Sequence, residues 1–235
     1  ALQAASSGAE VLLLDENPML GGSLNYARLD ADGRQAALLR TKMIADIESN
    51  NRIDVMLNAI CNGWFADNWL PVVQGRRLYK VRARETILCV GALEQHALFR
   101  NNDLPGVMTG SAAQRLIHLY GVRPGRTAVI LAGNNDAYGV ALDLLDAGVN
   151  VALIVELRKT PRYDEIARAA IARDIPVKPG CAVYEALLGS DKKHLGSVDV
   201  RTIVSDGVCA AQGEIIECDL LCMSCLLYTS PSPRD

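Results

Sequence analysis

The feature that most constrains this chain is a repeated one: a short, uninterrupted apolar run that stops abruptly at an acidic residue or a glycine. Val11-Leu12-Leu13-Leu14 halts at Asp15-Glu16, and Thr86-Ile87-Leu88-Cys89-Val90 runs into Gly91-Ala92. Ala128-Val129-Ile130-Leu131-Ala132 meets Gly133, and Val151-Ala152-Leu153-Ile154-Val155 ends at Glu156. Runs this short, without polar alternation, fit parallel strands buried on both faces. Parallel strands need crossover connections, and helical spacing is present between the runs. Ala36, Leu39, Met43, Ile44 and Ile47 recur at helical intervals within Gln35 to Ser49, and further helices are expected at Ser111 to Tyr120, Ala137 to Ala147 and Tyr163 to Arg173.

A Pro/Gly linker, Val122 to Gly125, separates two rounds of this pattern, and the second begins with a strand, helix and strand that make a βαβ unit. Between Asn62 and Lys80, polar and apolar groups alternate around Gly63, Pro71 and Gly75, which predicts a β excursion with turns. Strand-like Val177 to Cys181 and a β pair around Val198 to Val204 and Glu214 to Cys218 complete the second round. The expected fold is α/β, with two Rossmann-like domains in series of the FAD/NAD(P)-binding, glutathione/thioredoxin reductase type, the first incomplete. Residues 1–121 are assigned to the first domain, 122–218 to the second, and 219–224 to the start of a return to the first. Ala1 to Glu10 has the composition of a helix end, so the chain is expected to begin inside an element, without the first strand and its glycine fingerprint. Residues 225–235, rich in Ser and Pro, fit neither pattern and are expected to be a non-native tail.

Bulk properties exclude several function classes. A 235-residue chain with 50% hydrophobic residues can bury substantial cores. Its net charge of -3 arises from 24 basic and 27 acidic residues without a long run of either sign, so no nucleic-acid partner is expected. No stretch has the length of a membrane span, the start has no signal-peptide pattern, and a cytoplasmic protein with no membrane association is expected. The seven cysteines, most of them inside apolar runs, are expected to be reduced core residues. Cys222-Met223-Ser224-Cys225 has the gap of a metal or redox pair, but no second pair and no nearby His accompany it, so no metal site is assigned.

In a nucleotide-binding βαβ unit the second strand ends in a carboxylate that accepts hydrogen bonds from ribose hydroxyls. Asp15, with Glu16 and Asn17 beside it, stands at such a point. Gly21-Gly22-Ser23 follows, and paired glycines let backbone amides approach a pyrophosphate with no Cβ in the way. The second round departs from this pattern. In Gly133-Asn134-Asn135-Asp136-Ala137-Tyr138 only the first fingerprint glycine is kept. Asn135 puts a side chain where backbone should meet phosphate, Tyr138 is too large for close helix-to-strand packing, and Asp136 adds a negative charge at the helix start. The second nucleotide site is expected to be degenerate.

Several long strings resemble one family. Asp15-Glu16-Asn17-Pro18 through Gly21-Gly22-Ser23-Leu24, Leu78-Tyr79-Lys80-Val81-Arg82-Ala83 and Val90-Gly91-Ala92-Leu93-Glu94 are similar to segments of the α subunits of heterotetrameric sarcosine oxidases. So are Asn101-Asn102-Asp103-Leu104-Pro105-Gly106-Val107-Met108, Tyr120-Gly121-Val122-Arg123-Pro124-Gly125 and Asn134-Asn135-Asp136-Ala137-Tyr138, and the likeness runs over about residues 1–224. The resemblance implies NAD in the first nucleotide site, held by Asp15, Glu16 and Asn17 at the ribose end and by Gly21, Gly22 and Ser23 at the pyrophosphate. Ile60 is expected at the adenine face, with Gly91 and Ala92 at the later glycine turn. It further implies FAD and FMN in the assembled complex, tetrahydrofolate in a C-terminal half absent from this sequence, and β, γ and δ subunits as partners. The implied reaction is oxidative demethylation of sarcosine to glycine with O2 as acceptor, on the β subunit, so no catalytic residue is assigned to this chain. His96, His118 and His194 form no constellation in sequence. Two other readings stand at this point: a self-contained FAD/NAD(P)H-dependent oxidoreductase, and a related opine oxidase or hydrogen cyanide synthase-type subunit that serves another amine. A binding or regulatory remnant with no redox partner is a further one.

Overall fold

A computed structural model describes residues 1–28 and 35–229, the last four of these by backbone alone. The chain divides into two compact units, one of Ala1–Gly91 and one from Ala92 onward.

The first unit opens with a short helix α1 (Leu2–Ser6), then strand β1 (Val11–Leu14), a 3-10 turn (Gly22–Asn25), helix α2 (Ala36–Glu48) and strand β2 (Ile53–Met56). β1 and β2 pair in parallel, from Val11 opposite Ile53 to Leu14 opposite Met56. Ala5, Ile47 and Ile53 are buried where α1 and α2 meet these strands, with Val11, Leu13 and Leu20 packed against them. The expected β excursion is a three-stranded antiparallel sheet of β3 (Ala59–Cys61), β4 (Trp69–Gln74) and β5 (Arg77–Arg82). Gly75 turns between β4 and β5 at a φ of +59°, a conformation that costs other residues strain.

The apolar run before Gly91 is a correction to the sequence reading. Residues 86–91 form no strand, and Ile87 and Val90 are 74% and 73% exposed. A strand buried on both faces needs a neighbour along its edges, and among the described residues this run is paired with no strand. Without a partner the apolar pattern has nothing to pair with, and Cys89, expected in the core, is exposed along with Cys61.

The second unit comprises β6 (Ala92–Gln95), β7 (Val107–Thr109), α3 (Gly110–Tyr120), β8 (Thr127–Ala132), α4 (Asp136–Asp146), β9 (Asn150–Glu156), α5 (Glu165–Ile171) and β10 (Val177–Pro179). It continues through β11 (Cys181–Leu188), β12 (Leu195–Ser205), β13 (Val208–Cys209), β14 (Glu214–Glu217), β15 (Leu220–Ser224) and β16 (Leu226–Thr229). A five-stranded parallel sheet in the order β10-β9-β8-β15-β7 forms its centre. Successive side chains along β8 point to opposite faces. Ala128, Ile130 and Ala132 join the core with α3, α4 and α5, while Val129 and Leu131 join the core with Val183, Val198 and Val200 of the antiparallel β11-β12-β14 layer. Helix ends follow local chemistry: Thr109 Oγ1 accepts from the Ala112 amide at 3.3 Å, Gly121 closes α3 at a φ of +63°, and Asp164 Oδ1 accepts from the Ala167 amide at 2.8 Å.

The second unit takes in more chain than the sequence boundary at 121/122 suggested. β7 and α3 belong to it, and β15, read as the start of a return to the first domain, is instead an interior strand of its sheet. The reason is pairing: β15 hydrogen-bonds in parallel to both β8 and β7, from Leu220 opposite Ala128 to Ser224 opposite Ala132 on one side. Of the segment read as a tail, Leu226–Thr229 pairs antiparallel with β6, and residues 230–235 lie outside the described ones.

Two outcomes follow from this packing. Leu221, fully buried in an interior strand, is expected on replacement by Ala to destabilise the second unit by about 2–5 kcal/mol, read as a shifted denaturant midpoint; a change below ~1 kcal/mol would contradict the placement. Burial pushes the Cys222 thiol upward, and that of Cys218 to about 12. Alkylation of the native protein near pH 8 should therefore modify Cys61 while Cys222 reacts only after unfolding, as peptide mass mapping would report.

Candidate functional site

The end of β1 holds the predicted ribose-binding corner. The Asp15 amide donates to the Met56 carbonyl at 3.0 Å, and the Asp15 carbonyl accepts from the Ala59 amide at 3.0 Å. This fixes the residue between β2 and β3 with its carboxylate half-buried at the strand terminus. Asn17 donates from its amide and from Nδ2 to Asp15 Oδ1, both at 2.9 Å. Only that oxygen is engaged among the described residues, and Glu16 and Asn17 are exposed. Ile60, next to Ala59, is 49% exposed, an apolar surface one residue from the backbone contact to Asp15.

Gly21 and Gly22 both take positive φ, +121° and +52°. A Cβ at Gly21 would stand 2.9 Å from Asn25 Oδ1 and 3.0 Å from Arg40 Cδ. Arg40 Nη1 donates to that same Asn25 oxygen at 3.1 Å, and Asn25 Nδ2 donates to the Leu20 carbonyl at 3.3 Å, so α2 braces the loop. Ser23 lies exposed in the 3-10 turn beyond. A shallow groove of about 420 Å³ runs beside the loop, lined by Met19, Leu20, Asn25, Arg40, Ile44 and Glu48 and by none of the predicted site residues. Thus all seven of Asp15, Glu16, Asn17, Gly21, Gly22, Ser23 and Ile60 fall in the first unit, with Asp15 to Asn17 and Ile60 at the end of β1 and Gly21 to Ser23 in the loop that α2 braces. Gly91 ends that unit at a φ of +72°, and Ala92 begins the next.

The corresponding corner of the second unit is built differently. Glu156 ends β9 fully buried, Arg158 and Tyr138 donate to it, and Asn135 accepts from Arg158 in turn. The Arg158 guanidinium is held protonated chiefly by its hydrogen bonds to Glu156, and burial followed by the Glu156 charge pushes the Tyr138 hydroxyl upward. The Asp136 carboxyl is raised by burial and then by Glu94 and Asp164, all three being acidic groups near the start of α4. The sequence reading singled out Asn135, Asp136 and Tyr138 here but missed Arg158. Its signal was an arginine two residues past an acid that ends a strand.

The remaining candidates are spread out. His118 Nε2 lies 3.1 Å from the buried Asp143 Oδ1, which also has Gln114 Nε2 donating to its Oδ2 at 2.7 Å, a contact between α3 and α4. His194 pairs with Asp191 in an exposed turn, and His96 is exposed elsewhere. Among the described residues no group of three or more His, Cys, Asp or Glu side chains stands together as metal ligands, and no helix is long and apolar enough to cross a membrane.

Comparison with known proteins bears on both units. No protein-family model matches the chain. It is 31% identical over 227 residues to the sarcosine oxidase alpha subunit of Rhizobium meliloti (strain 1021), covering 91% of this chain and 23% of that one. It is 27% identical over 189 residues to one of the opine oxidase subunits of Agrobacterium tumefaciens (strain Ach5), covering 75% of this chain and 37% of the relative. Among solved structures it superposes on the thioredoxin reductase of T. acidophilum with a TM-score of 0.72 at 18% identity, over 98% of this chain and 73% of that one. At that identity the match speaks for fold, and the fold is the expected α/β arrangement of FAD/NAD(P)-binding, Rossmann-like domains. The chain spans about a fifth of the length of the sarcosine oxidase alpha subunits it matches, and it is homologous to those α subunits over 66–91% of its own length.

Proposed function

We propose that this chain is the dinucleotide-binding part of the α subunit of a multi-subunit flavin amine oxidase, with NAD in the first unit. The observation that carries this reading is the Asp15 corner. A half-buried carboxylate at the end of a parallel strand has one oxygen engaged by Asn17 and an exposed Ile60 next to its backbone partner Ala59, and two glycines at positive φ follow six and seven residues on in the same unit. That set matches an adenosine's needs: an acceptor for ribose hydroxyls, an apolar face for the base, and bare backbone for the phosphates. Glu16 and Asn17 flank the ribose end, Ser23 the pyrophosphate, and Gly91 and Ala92 the later turn. When bound, the nicotinamide or flavin of such a dinucleotide supplies hydride chemistry; these residues bind and orient it.

The proposed reaction of the whole enzyme is oxidative demethylation of sarcosine to glycine with O2 as acceptor, on the β subunit. γ and δ subunits complete the complex, with FAD and FMN in the assembly and tetrahydrofolate in the C-terminal half of α. Support for the sarcosine oxidase reading over an opine oxidase one is the higher identity across more of the chain. A self-contained disulfide reductase is disfavoured by the Cys222 and Cys225 pair. Burial lifts the Cys222 thiol and lifts that of Cys225 to about 11, whereas a redox dithiol needs an accessible thiolate. A cytoplasmic location is part of the proposal.

In the full-length subunit, Asp15→Ala should weaken retention of the adenine dinucleotide by roughly tenfold to a hundredfold, since hydrogen bonds to a charged group contribute about 1.5–3 kcal/mol. Cofactor content after purification and its off-rate decide this, and an unchanged off-rate would remove Asp15 from the site. Gly21→Ala should cost about 1–2 kcal/mol through its backbone conformation and also reduce cofactor content; an unchanged melting temperature would count against the loop geometry.

A further inference from the structure

In a βαβ nucleotide fold three places must be open: the acid at the end of the second strand for ribose, the loop into the helix for phosphate, and the close crossing of helix and strand. In the second unit the chain's own side chains take all three. Glu156 Oε1 accepts from the Arg158 amide and from Arg158 Nε, both at 2.9 Å. Glu156 Oε2 accepts from Arg158 Nη2 at 2.7 Å and from the Tyr138 hydroxyl at 3.0 Å. A carboxylate offers about four lone-pair sites, so these donors saturate it and none is left for a ribose.

The loop is tied in the same way. Arg158 Nη2 also donates to Asn135 Oδ1 at 2.8 Å, and Asn135 Nδ2 donates to the Arg162 carbonyl at 2.9 Å. Asn135, at the place of a fingerprint glycine, is thereby stretched from the start of α4 to the segment after β9. Tyr138, fully buried, fills the helix crossing and packs edge-on against Tyr163 with ring centroids 5.6 Å apart. Asp136 in the first turn of α4, with Glu94 and Asp164 near it, makes the helix start inhospitable to an anion.

We propose that Arg158, Asn135 and Tyr138 close the second unit's nucleotide crevice from within, with Glu156 as a structural counter-ion, and so exclude pyridine nucleotides from that unit. These are specificity-determining residues of the second unit: they set which ligands it refuses. The inference does not rest on the first-unit site, because it follows from the second unit's contacts alone.

Peptide-resolved hydrogen exchange on the full-length subunit tests it, with NADH and then NADPH as probes at millimolar concentration. Exchange in 133–139 and 156–162 should be unchanged by either nucleotide, whatever happens in 11–25, where a failure of the first-unit reading would be seen separately. Protection gained in 133–139 or 156–162 would overturn the proposal, and loss of that protection in Arg158→Gln would make the arginine a nucleotide ligand instead. In the absence of nucleotide, Tyr138→Phe should raise exchange in those two segments about tenfold, the loss of one hydrogen bond to a charged group. Rates equal to those of the unmodified protein would show that the clamp is not held by Glu156, and would also overturn it.

Discussion

The second unit depends on where β15 goes. A parallel strand with no neighbour in sequence needs something to set its register, and here the Asp219 carboxylate does so. Its Oδ1 accepts from the amides of Arg126 and Thr127, at 2.9 and 2.8 Å, immediately before β8 and β15 begin to run side by side. Gly106 and Gly125 approach the same point so closely that a Cβ on either would lie 2.8 Å from Asp219 O or Leu220 Cβ. With β15 held there, its side chains divide between the two cores: Leu220 and Cys222 go to the helical layer, and Leu221 and Met223 to the antiparallel one.

From that register the carboxyl ends of β8, β9 and β15 come out level. Ala132 stands opposite both Ser224 and Glu156. The Gly133 amide donates to the Ser224 carbonyl at 2.8 Å, and a Cβ on Gly133 would lie 2.9 Å from Cys225 Cα. The one fingerprint glycine retained in the second unit is thus explained by packing against the chain that follows β15, with no ligand needed. Retention of a motif residue and retention of the motif's function are separate matters here.

Much of the fold was legible because the apolar runs of β1, β8 and β9 and the helical spacing of α2, α3 and α4 are strong local signals, and their ends fall within a residue or two of those expected. What was not legible depended on partners distant in sequence. The run before Gly91 has the composition of a buried strand, yet composition cannot report whether a neighbour is there to pair with it. β15 has a similar composition and does find neighbours. At the candidate sites, Asp15 and the glycine pair were visible as a pattern, and Asn135 and Tyr138 as departures from one. Arg158 was invisible because its role exists only once β9 and α4 bring Glu156, Tyr138 and Asn135 to it.

The two units therefore offer a controlled comparison of one motif. Each ends a parallel strand of a βαβ-like pattern in a carboxylate, Asp15 in one and Glu156 in the other. Asp15 receives both described donors from Asn17, two residues on, and both go to one oxygen, so the other remains available to a hydroxyl. Glu156 is fully buried and receives donors on both oxygens, three from Arg158 and one from Tyr138. A buried carboxylate without such donors would be costly, so once the corner is closed to solvent the arginine becomes a requirement of folding. Burial and saturation thus go together, as do partial exposure and spare acceptor capacity. On the proposed reading, which unit holds a dinucleotide is decided at that level, by where the donors to one carboxylate come from.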